Sequence, residues 1–408
     1  MNFNLTETLF SISFALDCVE RDLLGVKTNH SKRVAYMCIE ICKIIGLPKS
    51  RLFDVAACAI LHDNALTEYI HSEHKNYNSV NIKNHVNENL HCILGENNFR
   101  KLHLFEDVTG SILFHHENAN GSGPFNKTFN EIPLYARLIH LADSLDSKFN
   151  LNTIDENKFK LVTKYLQENT DKLFDYQCVN WFLSAFNLDK FTNLRDENID
   201  ISLHKVLPKL KLNYSSDDLI NFARIFAIII DYKSEFTQKH SLGVADKAMK
   251  MGEYYNYDTD TRAKMYFAGA IHDIGKLVVD VDVLEKPGRL TSDEYRHIQT
   301  HVYYTYIMLK DIDGLEDIAS WAYCHHEKLD GSGYPFGKTA NELGKFERLF
   351  ACIDIYQALT EKRPYKDGMS HNDAMKIIKD MVYKNQLDGN IANDIDKAFS
   401  PNKYSLEL

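Results

Sequence analysis

The sequence predicts an all-α protein built from two tandem helical domains. Apolar residues recur at helical spacing in LFSISFALDCV (9–19) and LINFARIFAIII (219–230), the segments that begin the two halves of the chain. Sustained period-two alternation, which is typical of strands, is hard to find. A histidine pattern also occurs twice, and 408 residues are enough for two domains that each bury a core.

The histidine pattern repeats at a nearly fixed offset. Ten of the 18 histidines take part, each copy adds aspartates, and Asp143 matches Asp354 at an offset of 211. Such a fixed period indicates a tandem duplication. The residues matched at an offset of 210 are His30, His62, Asp63, His91, His115, His116 and Glu117 with His240, His272, Asp273, His301, His325, His326 and Glu327.

The elements follow the same order in both copies. After the opening helix, the first histidine leads into another helical stretch, and prolines such as Pro48 and Pro208 separate elements. WFLSAF (181–186) ends the first copy, and NDIDKAF (393–399) ends the second. The segment between the copies is polar and unmatched. We therefore expect a first domain at 1–190, a connection at 191–215 and a second domain at 216–408.

Composition and net charge argue against several classes of partner and location. The net charge of −10 argues against a long nucleic acid as partner. No apolar run is long enough to span a bilayer, and the first residues lack a basic signal-peptide start. The eight cysteines are scattered without a paired framework, which favours reduced thiols that serve as small apolar core residues. These observations predict a cytoplasmic protein without a membrane partner.

The second copy concentrates residues that bind metals. His272 and Asp273 are adjacent, an arrangement in which a carboxylate can bridge two ions while its neighbour binds one of them. Imidazole and carboxylate without thiolate favour Fe, Mn, Co, Ni or Zn over a structural zinc site. The predicted ligands are His240, His272, Asp273, His301, His325, His326 and Asp354.

Two motifs in the second copy resemble those of a known family. HDIGK (272–276) and HHEKLDGSGYP (325–335), with LEKPGRLTSDEY (284–295) and KRPYK (362–366), are similar to the HD-GYP family of HD-domain phosphohydrolases. The resemblance covers about residues 216–400. It implies two tandem HD-type helical domains, of which the second is catalytic, and hydrolysis of bacterial cyclic dinucleotides, cyclic di-GMP or 3′,3′-cyclic GMP-AMP.

The resemblance also implies a two-metal centre, usually of iron or manganese. One ion would be held by His240, His272, Asp273 and Asp354. The other would be held by Asp273, His301, His325 and His326, so that Asp273 bridges the two. Relatives with a third metal carry a glutamate four residues before the first histidine, but Phe236 stands there and Glu235 is one residue off. We therefore expect two ions.

Catalysis is then expected to use a hydroxide held between the two metals, which attacks phosphorus. Lys276, four residues after His272, would bind a phosphate oxygen, although a surface role is the alternative. Arg363 and Lys366 resemble phosphate contacts. Gly331 and Gly333 would let backbone approach the substrate, and Tyr334 would shape that loop or form a simple turn. Gln357, a further expected substrate contact, replaces an aspartate common in relatives. If that aspartate helps to hold a guanine base, the base preference is in question, because an amide carries both donors and an acceptor and could accept a different base.

The first copy keeps the metal ligands, but the residues around them differ from those of the second copy. Leu66 replaces Lys276, GSGPF (121–125) lacks the tyrosine, and DSLDSKFNLN (143–152) stands where KRPYK is expected. We expect a degenerate, regulatory domain that can still hold metal. Its candidate ligands are His30, His62, Asp63, His91, His115, His116 and Asp143.

Two alternatives to the cyclic dinucleotide phosphodiesterase stay open at this point. One is a phosphohydrolase for nucleotides or (p)ppGpp. The other is a metal-loaded signal-binding protein with little turnover. The sequence leaves the metal's identity, the product and the oligomeric state undetermined.

Overall fold

The computed structural model describes residues 2–24, 29–66, 68, 88–102, 104–231, 233, 239–286, 288–362 and 367–401. The chain divides into two compact units. The N-terminal unit is Asn4–Lys211, and the C-terminal unit is Leu212–Leu408 together with Met1–Phe3. The expected all-α class is confirmed, because helices form nearly all the regular structure of the described residues.

The regular structure of the N-terminal unit is mainly helical. Its helices are α1 (Leu5–Leu24), α2 (His30–Ile44), α3 (Lys49–Ile60), α4 (Glu88–Phe99), α5 (Leu134–Phe149), α6 (Glu156–Glu168), α7 (Tyr176–Ala185), α8 (Leu188–Phe191) and α9 (Asp196–Val206), with 3₁₀ turns at Phe129–Glu131 and Thr192–Leu194.

The C-terminal unit has the same character. Its helices are α10 (Ser216–Asp231), α11 (His240–Tyr254), α12 (Thr259–Ile271), α13 (Val281–Leu284), α14 (Ser292–Leu309), α15 (Glu316–Tyr323), α16 (Lys345–Thr360), α17 (His371–Tyr383) and α18 (Gly389–Phe399), with a 3₁₀ turn at Ile274–Val278. Strands β1 (Asn2–Asn4) and β2 (Lys211–Asn213) pair as a two-stranded sheet.

Helix α2 is the central element of the N-terminal unit, since all its residues from His30 to Cys42 are buried. Burial of its charged side chains is offset by ion pairs, because unpaired charges are costly inside a protein. The guanidinium of Arg33 donates to Asp146 at 2.6 Å and to Asp196 at 2.8 Å. Lys32 pairs with Asp200 at 2.7 Å. These contacts hold α5 and α9 against α2.

The polar segment expected at 191–215 as a connection is largely structured. It contains α9, whose Ile199 and Leu203 are buried and whose Asp196 and Asp200 pair with α2. Residues up to Lys211 therefore cluster with the N-terminal unit.

Within the described residues, none of the helices combines the length and apolar character needed to cross a membrane.

Candidate metal centres

The seven predicted ligands of the second copy lie on five separate helical elements that converge in the C-terminal unit. His240 begins α11, His272 and Asp273 directly follow α12, and His301 lies within α14. His325 and His326 follow the end of α15, and Asp354 lies within α16. We call this cluster the C-terminal centre: His240, His272, Asp273, His301, His325, His326 and Asp354.

Asp273 lies in the middle of the C-terminal centre and is 2% exposed. Its Oδ1 lies 3.2 Å from His301 Nε2 and 3.7 Å from His325 Nε2. Its Oδ2 lies 3.1 Å from His272 Nε2 and 3.8 Å from His240 Nε2. The two carboxylate oxygens therefore face different histidines, as a bridging carboxylate requires.

Backbone hydrogen bonds set the orientation of three of these rings. In His272, His301 and His325, Nδ1 donates to the carbonyl oxygen three residues earlier, at 2.7, 2.5 and 2.6 Å. A carbonyl can only accept, so Nδ1 carries the proton and Nε2 presents its lone pair to the centre of the cluster. This arrangement is found in metal-binding histidines.

The polar atoms in the middle of the cluster lack hydrogen bonds. Nε2 of His272, His301 and His325 and Oδ1 of Asp273 are buried and have no hydrogen-bond partner among the described residues. Burial lowers the pKa of His325 well below its ordinary value, so that ring is neutral. Four buried atoms left unpaired around one point would destabilise the fold, and a cation would satisfy them. The C-terminal centre therefore fits divalent metal ions.

His240 is held from both sides. Its Nε2 lies 3.0 Å from Asp354 Oδ1, and its Nδ1 lies 3.0 Å from Glu361 Oε2. Burial alone would lower the pKa of His240, but the hydrogen bonds to the two carboxylates raise it to about 9. Glu361 was not among the residues predicted from the sequence. Glu361 directly follows α16 and lies seven residues, about two helical turns, after Asp354. This spacing places both on the same side of the helix and is the sequence signal that could have identified Glu361.

Lys276 lies beside the predicted metal ligands. The segment after Asp273 is a 3₁₀ turn, and it brings Lys276 Nζ to 2.5 Å from Asp273 Oδ2. The lysine side chain is 18% exposed. Burial would raise the pKa of Asp273, but the neighbouring His272 and Lys276 hold it well below its ordinary value. The ammonium therefore lies at the edge of the centre, between Asp273 and solvent.

The GSGYP loop borders the centre. The ring of Tyr334 contacts that of His326 in a tilted arrangement, with ring centroids 4.8 Å apart. Gly331 has a φ of +76°, which favours glycine. A Cβ on Gly333 would lie 2.5 Å from Glu327 Cα, so this glycine allows the loop to pack on the backbone after His326. Approach of a substrate to the backbone of Gly331 and Gly333 stays a prediction.

Gln357 is buried between α11 and α16. Its Oε1 accepts a hydrogen bond from Lys247, and a Cβ on Gly243 would overlap its amide. In the first copy, Arg33 stands at the position of Gly243 and Asp146 at the position of Gln357, and these two residues form a buried ion pair. Gln357 is thus engaged in helix packing, which differs from the expectation that its amide is free to contact a base.

Four residues discussed from the sequence lie outside the described residues. These are the phosphate-contact candidates Arg363 and Lys366, and the pair at the third-metal position, Glu235 and Phe236.

The N-terminal unit contains a matching cluster, which we call the N-terminal centre. Asp63 Oδ1 lies 3.6 Å from both His91 Nε2 and His115 Nε2. His62 Nε2 lies 3.5 Å from Asp63 Oδ2, and His30 Nε2 lies 3.3 Å from an Asp143 oxygen. The structure therefore brings together all seven ligands expected here: His30, His62, Asp63, His91, His115, His116 and Asp143.

Cys92 makes the N-terminal centre different. Its sulfur lies 3.5 Å from His91 Nε2 and 3.8 Å from His115 Nδ1. Burial would raise the pKa of this thiol, but the two neighbouring histidines lower it to about 7. Burial instead raises the pKa of Cys58 well above its ordinary value. All eight cysteines are buried and free of disulfides, as expected, but Cys92 is more than a core residue.

Lys276 and Tyr334 have no equivalents in the described part of the N-terminal unit. Leu66 takes the place of Lys276 and is 6% exposed. A matching glutamate in each unit accepts hydrogen bonds from the loop backbone. Glu117 accepts from Phe125 and Lys127, and Glu327 accepts from Phe336 and Lys338. The donors lie one residue closer to the glutamate in the N-terminal unit, so its loop is one residue shorter. The missing residue corresponds to Tyr334.

Comparison with known proteins agrees with this duplicated architecture. A family model described as HD domain matches residues 19–177 and 224–391, which is most of the chain and includes both centres. The chain belongs to the HD domain family. Each HD domain contributes one of the two centres.

Named relatives and a solved structure extend the comparison. The chain is 27% identical, over 100% of its length and 94% of the relative's, to a 3′,3′-cGAMP-specific phosphodiesterase of Vibrio cholerae. It is 32% identical, over 35% of its length and 34% of the relative's, to a cyclic di-GMP phosphodiesterase of Pseudomonas aeruginosa. The crystal structure of a cyclic GMP-AMP specific phosphodiesterase of V. cholerae matches with a TM-score of 0.65 and 23% identity, covering 99% of this chain and 100% of that one. The last comparison shows a shared fold.

Proposed function

We propose that this protein hydrolyses a bacterial cyclic dinucleotide and that the reaction takes place at the C-terminal centre. The observation that carries the proposal is the buried cluster around Asp273, with Lys276 at its edge. The relatives named above supply the substrate class, since they act on 3′,3′-cGAMP or cyclic di-GMP.

The metal ligands are proposed as a set with Asp273 in the bridging position. When bound, two divalent metals lower the pKa of a shared water and neutralise charge on the phosphoryl oxygens. Iron or manganese suits this set of nitrogen and oxygen donors, and nickel, cobalt or zinc also match its chemistry. The three rings whose Nδ1 is tied to backbone keep their Nε2 atoms aimed at the ions without reorganisation.

Lys276 is proposed to bind a non-bridging phosphate oxygen. Its ammonium has three N–H donors, and the contact with Asp273 uses one of them. The remaining donors can stabilise the charge that develops on the phosphoryl group. Tyr334 packs against the ring of His326, so we assign it a positioning role. Arg363 and Lys366 stay proposed phosphate contacts on the resemblance of KRPYK alone.

The full-length similarity favours 3′,3′-cyclic GMP-AMP as the first substrate to test, and cyclic di-GMP as the second. The (p)ppGpp and signal-binding alternatives lack a comparable relative among those named here. We also propose a cytoplasmic location, because the eight buried cysteines form no disulfide.

The N-terminal centre is proposed to hold metal without hydrolysing the substrate. It retains its seven ligands, but the buried, apolar Leu66 stands at the position that matches Lys276. This unit would then regulate or support the C-terminal one.

The test is product analysis with purified full-length protein loaded anaerobically with Fe²⁺ or Mn²⁺. The proposal expects phosphodiester cleavage in the wild type and its loss in Asp273→Ala. Hydrolysis of (p)ppGpp with no cleavage of any cyclic dinucleotide would refute the proposal and favour the alternative, a nucleotide phosphohydrolase.

A further inference from the structure

The N-terminal centre contains a sulfur donor that the C-terminal centre lacks. The ligand atoms of His91, Cys92, His115 and His116 all lie within 4.8 Å of one another. Helix α4 carries both His91 and Cys92, and Cys92 is fully buried. At the position that matches Cys92 by the offset of 210, the C-terminal unit has the equally buried Val302. The thiol is therefore particular to the N-terminal unit.

The distances around His91 Nε2 correspond to the edges of a tetrahedron. The neighbouring donors are Cys92 Sγ at 3.5 Å, His116 Nε2 at 3.2 Å and Asp63 Oδ1 at 3.6 Å. With bond lengths of about 2.3 Å to sulfur and about 2.0 Å to nitrogen, a tetrahedral zinc ion separates S from N by roughly 3.5 Å and N from N by roughly 3.3 Å. The three distances measured from His91 Nε2 are therefore close to those around one small tetrahedral ion.

A second observation also points to a ligand at this place. His115 is fully buried, and its Nδ1 donates to the Ile112 carbonyl at 2.6 Å. Its Nε2 therefore presents a lone pair, and that atom has no hydrogen-bond partner among the described residues. It lies 3.6 Å from Asp63 Oδ1, beyond normal hydrogen-bonding distance.

We propose that the N-terminal centre is a mixed nitrogen and sulfur site that takes a thiophilic ion, zinc above all, with Cys92 as a direct ligand. This inference deepens the proposed function, and it rests on the proposal that the N-terminal unit holds metal. A thiolate donor shifts preference toward zinc and away from the iron or manganese proposed for the C-terminal centre. A site in which Cys92 joins His91, His116 and Asp63 has four protein donors and leaves no open position for water or substrate, as in structural zinc sites. The inference therefore explains how metal binding is kept without hydrolysis.

Cobalt is the probe that tests this assignment, because thiolate ligation of Co²⁺ gives a sulfur-to-metal charge-transfer band in the near ultraviolet. The full chain carrying His272→Ala and Asp273→Ala is stripped of metal and loaded with Co²⁺ under anaerobic, reducing conditions. The parent should bind cobalt and show the band. Adding Cys92→Val, the residue found at Val302, should abolish the band and lower zinc affinity by roughly 10–100-fold or more.

A matched control uses another buried cysteine of the same unit. Cys58→Val should keep both the band and the zinc affinity, and thermal unfolding should show that both valine variants are folded. Bound cobalt without the band in the parent, or a band that survives Cys92→Val, would overturn the role of Cys92 while leaving metal binding by this unit intact. A parent that binds no cobalt at all would overturn both this inference and the proposed metal binding of the N-terminal unit.

Discussion

Replacing Lys276 separates metal binding from catalysis more cleanly than any other single change in the C-terminal centre. Lys276 is proposed to act on the phosphate and is not a metal ligand. Lys276→Ala removes the ammonium and leaves the whole ligand set in place. Because the positive charge lies 2.5 Å from Asp273, its removal favours a cation at the centre, so the metal content should not fall.

The size of the catalytic loss follows from the position of Lys276. Removing one preorganised charge stabiliser costs about 100–1,000-fold in rate, or roughly 2.7–4 kcal/mol. The lysine side chain is 18% exposed, and solvent screens part of its charge. We therefore expect a loss near the lower limit, about 100-fold in kcat, with metal content unchanged.

The assay measures steady-state hydrolysis of 3′,3′-cyclic GMP-AMP together with metal analysis of the same preparation. Lys310→Ala is a suitable control, because that lysine lies on the surface and pairs only loosely with Asp311, at 3.6 Å. A Lys276→Ala enzyme with near-normal turnover would return Lys276 to a surface role. A variant that loses its metal along with its activity would contradict the proposal that Lys276 acts on the phosphate and is not needed for metal binding.

Three further predictions concern the metal centres. Asp273→Ala should lose both ions of the C-terminal centre, because its two oxygens face different histidines; elemental analysis that still finds two ions there would contradict the bridging role. Glu361→Gln should weaken metal binding by roughly 10–100-fold in a competition titration, since Glu361 orients His240 at 3.0 Å, and unchanged affinity would remove it from the site. The double variant His272→Ala, Asp273→Ala should keep metal in the N-terminal unit and show no hydrolysis; substantial hydrolysis would make this a two-site enzyme.

The repeat made the main features of both centres predictable from the sequence. Histidines and aspartates that recur at a constant offset mark residues that share one place in a duplicated fold. The structure brings every one of those ligands together in each unit. The change in offset from 210 to 211 before Asp143 and Asp354 also has a physical cause, since the first copy lacks the residue that corresponds to Tyr334.

Contacts that depend on the relative positions of helices were not predictable in the same way. Glu361 reaches His240 only because the end of α16 passes the start of α11. Cys92 looks like an ordinary core cysteine until the fold places its sulfur among His91 and His115. Neither residue has a counterpart in the other copy, so the repeat could not reveal them.

The connection at 191–215 shows why polar composition can mislead. The polar, unmatched composition of this segment predicted a connection, yet its Asp196 and Asp200 both pair with buried cations on α2. A buried Lys32 or Arg33 requires a partner charge, and helix α9 supplies it. Asp196 and Asp200 therefore neutralise buried charges on α2, and the burial of those charges cannot be recognised from the sequence alone.

The most direct test of the central claim is the identity of the products formed by the metal-loaded full-length protein. Incubation with 3′,3′-cyclic GMP-AMP and with cyclic di-GMP, followed by chromatography and mass spectrometry, should show an opened phosphodiester with at least one of them. The same reaction with Asp273→Ala should show none. Intact substrates with wild-type protein that contains two ions in the C-terminal centre, or equal cleavage by Asp273→Ala, would contradict a cyclic dinucleotide phosphodiesterase centred on Asp273.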